Sequence, residues 1–228
     1  MRFRRKIRDA ASVIAQCQPG EALAFSGTSL VSRAIQIGTF SPYSHVAIVV
    51  RVRRKLLQEL YDSHDLPRLS AARLHRWGLA DRLVLFEATT LCDSDCLLMG
   101  RPVRGVQCHE IADRVATYEG RCWRVPLNDD YRLTSEMQDQ LARFMLRKVG
   151  DEYDDRGAIK AGWRAVVGLS LHNQETRKWF CDKLAAEGMK SIGRFPMVNT
   201  DTFTPASYVR QGQRIGIFDE VTGKERIK

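Results

Sequence analysis

The sequence predicts an α+β fold organised as one domain over residues 1–228. Apolar, β-branched segments have the length of strands, amphipathic segments with helical spacing separate and follow them, and no repeat or low-complexity linker divides the chain. With 228 residues, of which 44% are apolar, the chain is long enough to bury a continuous core. We therefore predict one core built from both strands and helices.

Four segments have strand character. Residues 21–27 form a short apolar run that ends at Ser-Gly, and residues 45–52 form a nearly uninterrupted β-branched run, typical of a strand buried on both faces. Residues 82–88 and 121–127 are predicted as further core strands. Residues 56–81 lack the strand pattern of the segments before and after them, and we expect an inserted helical or irregular segment there.

The first predicted helix covers residues 28–38. Its apolar residues recur at helical spacing, either Thr28 or Ser29 is placed to cap the first turn, and Gly38 is placed to stop the helix. These three signals together predict a short amphipathic helix between the first two strands.

The clearest predicted helix covers residues 134–150. Ser135 and Gln138 have the spacing of a capping box, apolar residues form one face, and Gly150 is placed at the end. Further elements are a helix at 157–168, a helix at 175–193 and a returning strand at 213–221.

The charge of the chain predicts an anionic partner. The net charge is +9, with basic runs at 1–8 and 51–55 that are not interleaved with aromatic residues, so nucleic acid is not the expected partner. The basic stretch at 2–16 is flanked by apolar residues, which favours peripheral membrane contact through the N-terminus. No run of about 18 apolar residues and no apolar signal core occurs, so we expect a cytoplasmic protein.

Cysteine usage favours free thiols in a reducing compartment, because the six cysteines are scattered through a chain that is large enough to fold without disulfides. Cys92, Cys96, Cys108 and His109 have the donor types of a zinc site, but only the first pair has the usual spacing. We therefore predict no metal and no other cofactor. His64, His75 and His172 lie in polar contexts and are predicted at the surface.

Three residues carry the predicted chemistry. Cys181 lies in the first turns of a predicted helix, where the helix dipole favours a thiolate. His45 begins a core strand, and Glu87 ends another in an apolar context where a carboxylate needs a partner. A cysteine on a helix, a histidine at a strand start and a polar residue on the next strand are the parts that papain-like catalysis uses.

Each residue also has a purely structural interpretation. Cysteine is a common buried residue, so Cys181 on an apolar helix face fits a core position. His45 fits a core histidine bonded to backbone groups, and Glu87 fits an edge carboxylate that faces water. The residue types alone leave these alternatives open.

Five segments in order along the chain resemble one family: residues 20–50, FEAT at 86–89, GDEYD at 150–154, WFCDKLAAEG at 179–188 and FTPASY at 203–208. The family is that of the circularly permuted NlpC-type papain-like hydrolases, in particular the YiiX/YebB-like branch, with lecithin:retinol acyltransferase as a more distant relative. The resemblance implies a permuted papain-like fold with a central antiparallel sheet packed against helices.

The resemblance also implies roles for individual residues. Cys181 matches the nucleophile, His45 the general base and Glu87 the residue that orients the base. Tyr43, two residues before the histidine, matches a family tyrosine that borders the site or donates to the oxyanion, and Tyr43 and Ser44 are predicted to bind substrate. The backbone N–H of Cys181 is expected to donate to the oxyanion.

Three positions depart from the family pattern. Asp182 and Lys183 replace the Ser and Glu that follow the cysteine, and Ala47 replaces the Gly after His-Val. Since Asp182 places a carboxylate beside the thiol, we expect it to raise the pKa of Cys181.

The predicted function is that of a cysteine hydrolase that cleaves an amide bond in a peptidoglycan-type peptide through a covalent acyl-enzyme. Two alternatives stay open. One is a lipid-directed thiol acyltransferase or esterase, whose substrate would be lipid-like rather than a cell-wall peptide. The other is a non-catalytic module on the same fold that binds polyanions or membranes.

Overall fold

The computed structural model describes residues 10–66, 68–153, 179–196, 199–200, 203–221 and 225–228. It contains one five-stranded sheet in the order β4-β3-β2-β1-β5, with every neighbouring pair antiparallel. The strands are β1 (Ala22–Gly27), β2 (His45–Val52), β3 (Arg82–Thr89), β4 (Gly105–Glu110) and β5 (Gly120–Val125). The prediction of an α+β fold with a central antiparallel sheet packed against helices is confirmed.

Helices precede, follow and connect the strands. They are α1 (Ala10–Ile14), α2 (Leu30–Thr39), α3 (Arg54–Asp62), α4 (Ala71–Trp77), α5 (Ile111–Thr117), α6 (Ser135–Lys148), α7 (Cys181–Ser191) and α8 (Pro205–Arg214), with a 3-10 turn at Asp129–Tyr131. Within the described ranges, no helix is long and apolar enough to cross a bilayer. The helix expected at 157–168 lies outside the described residues.

The sheet is buried on both faces, as the β-branched run in β2 predicts. Because side chains alternate along a strand, Val46, Ile48 and Val50 face one core, which α3, α6 and α7 also join. Ala47 and Val49 face a second, smaller core that includes residues of α1 and α5. Side chains on each face of the sheet therefore pack against an apolar layer of their own.

The predicted inserted segment at 56–81 is helical over much of its length. It contains most of α3 and all of α4, and Leu57, Leu60 and Trp77 are buried in the same core as β2. These contacts attach the segment to the face of the sheet that carries α6 and α7.

Two strand predictions are corrected. Strand β4 was not predicted, because its sequence GVQCHE is short and half polar, although Gln107 and His109 are both buried. The strand expected at 213–221 is absent; α8 runs to Arg214, and Phe218 makes only an isolated bridge to Leu127.

The start of helix α2 matches the prediction, but its end does not. The Ser29 hydroxyl accepts from the Ser32 N–H at 3.1 Å, so Ser29 is the N-cap. Gly38 does not stop the helix, which continues through Thr39 and ends at Phe40 in the left-handed conformation, with φ of 48°. A glycine or asparagine is the usual residue at such a position.

The starts of two later helices also differ from prediction. Thr134, not Ser135, caps α6, since its hydroxyl accepts from the Met137 N–H at 3.3 Å. The helix expected at 175–193 begins at Cys181, because Phe180 is extended and Trp179 bridges to Tyr153. Cys181 is therefore the first residue of its helix.

The observed cap predicts the result of a substitution. Replacing Thr134 by alanine should lower the free energy of unfolding by about 1 kcal/mol, because it leaves a first-turn N–H without its acceptor. Chemical denaturation measures the change. Ser135→Ala is the matched control and should change stability by less than about 0.5 kcal/mol. A larger loss of stability in Ser135→Ala than in Thr134→Ala would indicate that Ser135 is the N-cap instead.

Candidate functional site

A buried carboxylate holds the predicted base. His45 Nε2 lies 2.6 Å from Glu87 Oε2, with the His45 side chain 12% exposed and that of Glu87 fully buried. Strands β2 and β3 pair with Ile48 opposite Phe86, which places His45 and Glu87 on the same face of the sheet near the start of β2. The register of two strands thus builds this pair.

Aromatic rings fix the orientation of His45. The ring centroid lies 5.6 Å from that of Phe25 and 6.4 Å from that of Tyr118, with the Tyr118 ring nearly parallel. Phe25 is directly opposite His45 in the register of β1 and β2. The imidazole is therefore confined by packing as well as by its hydrogen bond.

The protonation of Glu87 determines the tautomer of His45. Burial by itself raises the pKa of Glu87, but the hydrogen bond from His45 and the charge of Arg114 outweigh it and lower the pKa to about 2. The ionised carboxylate can only accept, so Nε2 must carry the hydrogen that it donates to Glu87. In the neutral ring, Nδ1 is then the nitrogen that is free to accept a proton.

Arg114 was not identified from the sequence, although it is the main counter-charge of Glu87. Its Nε lies 2.6 Å from Glu87 Oε1, and its Nη1 donates to both Asp93 carboxylate oxygens at 3.0 and 3.1 Å. The guanidinium also lies over the Tyr118 ring, 5.3 Å from the centroid. One signal was present: an arginine inside the apolar segment IADRVA must be paired if it is buried.

His109 completes the surroundings of Glu87. Its Nε2 lies 3.6 Å from Glu87 Oε1, and its Nδ1 lies 3.4 Å from Ser94 Oγ. Burial lowers the pKa of His109, which favours the neutral ring. Arg114 and His45 are therefore the closer partners of the carboxylate.

Cys181 is buried at the N-terminus of α7, where its thiol donates to Asp182 Oδ1 at 3.3 Å. Burial and the charge of Asp182 raise the pKa of the Cys181 thiol, while a hydrogen bond from the Val46 N–H opposes them. This agrees with the predicted effect of Asp182. Burial also raises the pKa of Asp182 itself to about 7.

The predicted nucleophile and base line the same pocket. It has a volume of about 50 Å³ and is lined by Cys181, His45, Ser44, Asp182, Thr204 and Pro205 together with the apolar or aromatic side chains of Ile35, Tyr153, Phe180 and Phe203. The pocket lies where the start of β2, the start of α7 and the start of α8 meet. Residues 136 positions apart are thus brought to one small cavity.

The two predicted substrate-binding residues have different surroundings. Ser44 lies in the pocket wall, where its hydroxyl accepts from the Gly27 N–H at 2.9 Å. The Tyr43 ring packs edge-on against Trp123, with centroids 5.7 Å apart, and burial raises its pKa. Their roles toward a substrate stay predictions.

The other cysteines and histidines form no metal site in the part of the chain that the structure describes, where no three His, Cys, Asp or Glu side chains are grouped to hold an ion. All six cysteines are free thiols. Cys96 Sγ and Cys108 Sγ lie 3.9 Å apart in the core, while Cys92 is exposed. His64 and His75 are exposed, as predicted, and His172 lies outside the described residues.

Comparison with solved structures finds a weak likeness. No family model and no curated protein matches the chain. A similar solved structure is that of the metalloprotein YiiX from Escherichia coli O157:H7, at 18% identity and a TM-score of 0.46, covering 92% of this chain and 88% of that chain. At this level the likeness assigns neither a family nor an activity. The fold and site define an α+β protein in which a cysteine and a carboxylate-bound histidine share a pocket.

The raised pKa of Asp182 predicts a pH-dependent effect of Asp182→Asn. Wild-type Asp182 binds its proton more tightly when folded, so its stabilisation is present below pH 3.8 and is lost as pH rises toward 7. At pH 8 the variant should therefore be more stable than the wild type, by up to roughly 4 kcal/mol at about 1.4 kcal/mol per pKa unit.

Urea denaturation at pH 4 and pH 8 measures this effect. At pH 4 the two proteins should differ little, and the exposed control Glu119→Gln should show no comparable gain. Equal stability of wild type and Asp182→Asn at both pH values would mean that folding does not raise the pKa of Asp182.

The pairing of Arg114 predicts a second result. Arg114→Met should lower the free energy of unfolding by about 3–5 kcal/mol, because it leaves the Glu87 charge buried with its main partner missing. The double variant Glu87→Gln/Arg114→Met should lose less than Arg114→Met alone, because no charge is then stranded. Thermal and urea denaturation of both proteins give the comparison. A double variant that is less stable than Arg114→Met would contradict the proposed pairing of Arg114 with Glu87.

Proposed function

We propose that the chain is a cysteine hydrolase of the permuted papain-like class, which cleaves an amide bond through a covalent acyl-enzyme. The observation that carries the proposal is the pocket shared by Cys181 and His45, in which Glu87 holds His45 by a hydrogen bond of 2.6 Å. A nucleophile, a base and a group that orients the base are the minimum set for this chemistry.

In the first step, His45 Nδ1 accepts the thiol proton as Cys181 Sγ attacks the carbonyl carbon of the amide. The ionised Glu87 stabilises the imidazolium that forms, because its carboxylate accepts from Nε2. The imidazolium then gives its proton to the leaving nitrogen as the C–N bond breaks. The products of this step are a free amine and a thioester on Cys181.

In the second step, water attacks the thioester carbonyl while His45 takes a proton from it, and the thiol leaves with that proton. The negative oxygen formed in each step needs a donor. The first N–H groups of a helix have no partner within the helix, and that of Cys181 is the first of α7. It is the donor that we assign to the oxyanion.

The resting thiol of this enzyme is protonated. Burial and Asp182 raise the pKa of Cys181, so a standing thiolate-imidazolium pair is disfavoured. Proton transfer to His45 then accompanies attack on the substrate instead of preceding it. This predicts slow reaction with small alkylating reagents and a dependence of turnover on the unprotonated form of His45.

The proposed substrate is a peptide amide of the cell-wall type, and the proposed partner surface is anionic. A specific observation supports the lipid alternative: Ile35, Phe180 and Phe203 make much of the pocket wall apolar. A lipid-directed acyltransferase or esterase would use the same cysteine and histidine on an ester. Assays with muropeptides and with a phospholipid panel compare the two substrates directly.

Three substitutions test the catalytic roles. Cys181→Ala and His45→Ala should each remove most hydrolysis of the responsive substrate, by at least about a hundredfold. Glu87→Gln should be milder, because the amide keeps the shape but loses the charge that stabilises the imidazolium. Turnover of each variant is measured beside its melting temperature, and Cys92→Ala serves as the control for an exposed thiol.

Alkylation separates the enzyme from a binding module on the same fold. In the enzyme, His45→Ala should slow the alkylation of Cys181 by iodoacetamide, followed by peptide mass spectrometry, because the thiol loses its base. If all three variants lose melting temperature but keep turnover, and Cys181 reactivity is unchanged in His45→Ala and Glu87→Gln, these residues are structural and the hydrolase proposal fails.

A further inference from the structure

Helix α2 presents its apolar residues to solvent. The exposed fractions are 86% for Leu30, 68% for Val31, 74% for Ile37 and 90% for Phe40, which follows the last turn. We name these four residues the α2 stripe. A helix on a globular surface normally turns its apolar side inward, so α2 is inverted.

The inner side of α2 is polar and hydrogen-bonded. Gln36 Nε2 donates to Ser26 Oγ at 3.2 Å and to the Gly27 carbonyl at 3.0 Å, at the end of β1. Thr39 is buried and donates to the Ile35 carbonyl at 2.8 Å. The two Gln36 hydrogen bonds to β1 fix the rotation of the helix, which keeps the α2 stripe pointing outward.

Phe40 has a strained backbone conformation and an exposed side chain. It adopts a left-handed conformation with φ of 48°, in which a bulky residue is strained, and its side chain is 90% exposed. Glycine or asparagine would satisfy the same helix end without strain. An exposed aromatic side chain held in a strained conformation indicates a binding role.

Positive charge flanks the stripe. Arg33 is exposed on α2, and Arg210 Nη2 donates to the carbonyls of Thr39 at 3.2 Å and Phe40 at 2.9 Å. Helix α2 contains no acidic residue, and the chain carries a net charge of +9. Aliphatic and aromatic side chains bordered by arginines complement the acyl boundary and the anionic headgroups of a lipid surface.

We propose that the α2 stripe docks the protein on an anionic phospholipid bilayer, with Leu30, Val31, Ile37 and Phe40 inserted among the lipids. The basic run at 1–8 lies outside the described residues and is not part of this surface as we define it. On the inner side of the same helix, Ile35 lines the pocket of Cys181 and His45. Docking therefore brings the pocket close to the membrane surface, and it does not depend on turnover.

The test is co-sedimentation of the full chain with vesicles of phosphatidylcholine and phosphatidylglycerol, at about three parts to one, compared with phosphatidylcholine alone. Wild type should bind the anionic vesicles, and Leu30→Gln/Ile37→Gln should weaken binding at least about tenfold. Leu79→Gln is the matched control: Leu79 is also 90% exposed, but it precedes β3 at the opposite end of β2 from His45. It should bind like wild type.

Phe40→Asn separates docking from folding. Because asparagine tolerates the left-handed conformation, the variant should keep or raise the melting temperature while it binds anionic vesicles several-fold more weakly. Few other roles of Phe40 would give both changes. Cys181→Ala should bind vesicles like wild type. The vesicle-binding test therefore stays valid even if the hydrolase proposal fails.

Several outcomes would overturn the proposal. Wild type that does not bind anionic vesicles, equal binding of wild type and both stripe variants, or an equal loss in Leu79→Gln would each do so. A dimer in analytical ultracentrifugation that the stripe variants abolish, without vesicle binding by wild type, would assign the surface to a second copy of the chain instead.

Discussion

The buried charge of Glu87 is the constraint on which the site depends. An isolated carboxylate in the middle of a sheet would cost several kcal/mol, so its partners must be held in place whenever the protein is folded. His45 comes from β2, Arg114 from α5, and Asp93, which neutralises the far side of Arg114, comes from the loop between β3 and β4. One carboxylate therefore ties together two strands, a helix and a loop.

The two halves of the site are electrostatically opposite. Around Glu87, Arg114 and His45 stabilise the charged form. Around Cys181, burial and Asp182 stabilise the neutral form of the thiol, whereas the Val46 N–H and the start of α7 oppose them. The thiol thus keeps its proton at rest, while His45, which lines the same pocket, is oriented by its hydrogen bond to Glu87.

The sequence was informative where burial follows a regular pattern. Strands β1, β2, β3 and β5 were located within a few residues, and His45 and Glu87 were singled out because a titratable residue at the end of an apolar run is unusual. Arg114 was missed together with β4, for one reason: Gln107, His109 and Arg114 are polar residues in the interior, and periodicity cannot detect them. His109 and Arg114 are buried beside the Glu87 charge, and Gln107 Nε2 donates to the Leu91 carbonyl at 3.0 Å; all three depend on tertiary contacts.

Helix α2 shows a second limit of periodicity. Its apolar spacing correctly predicts a helix, but such a pattern defines a face and not the environment that the face meets. The environment is decided by the opposite side: Gln36 finds acceptors on β1, and Thr39 is buried against the helix backbone. Turning the apolar side inward would remove the Gln36 hydrogen bonds and leave Ser26 Oγ and the Gly27 carbonyl without that donor. The exposed stripe is therefore a consequence of how α2 is anchored, and its rotation places Ile35 at the pocket while Leu30 and Ile37 face away from it.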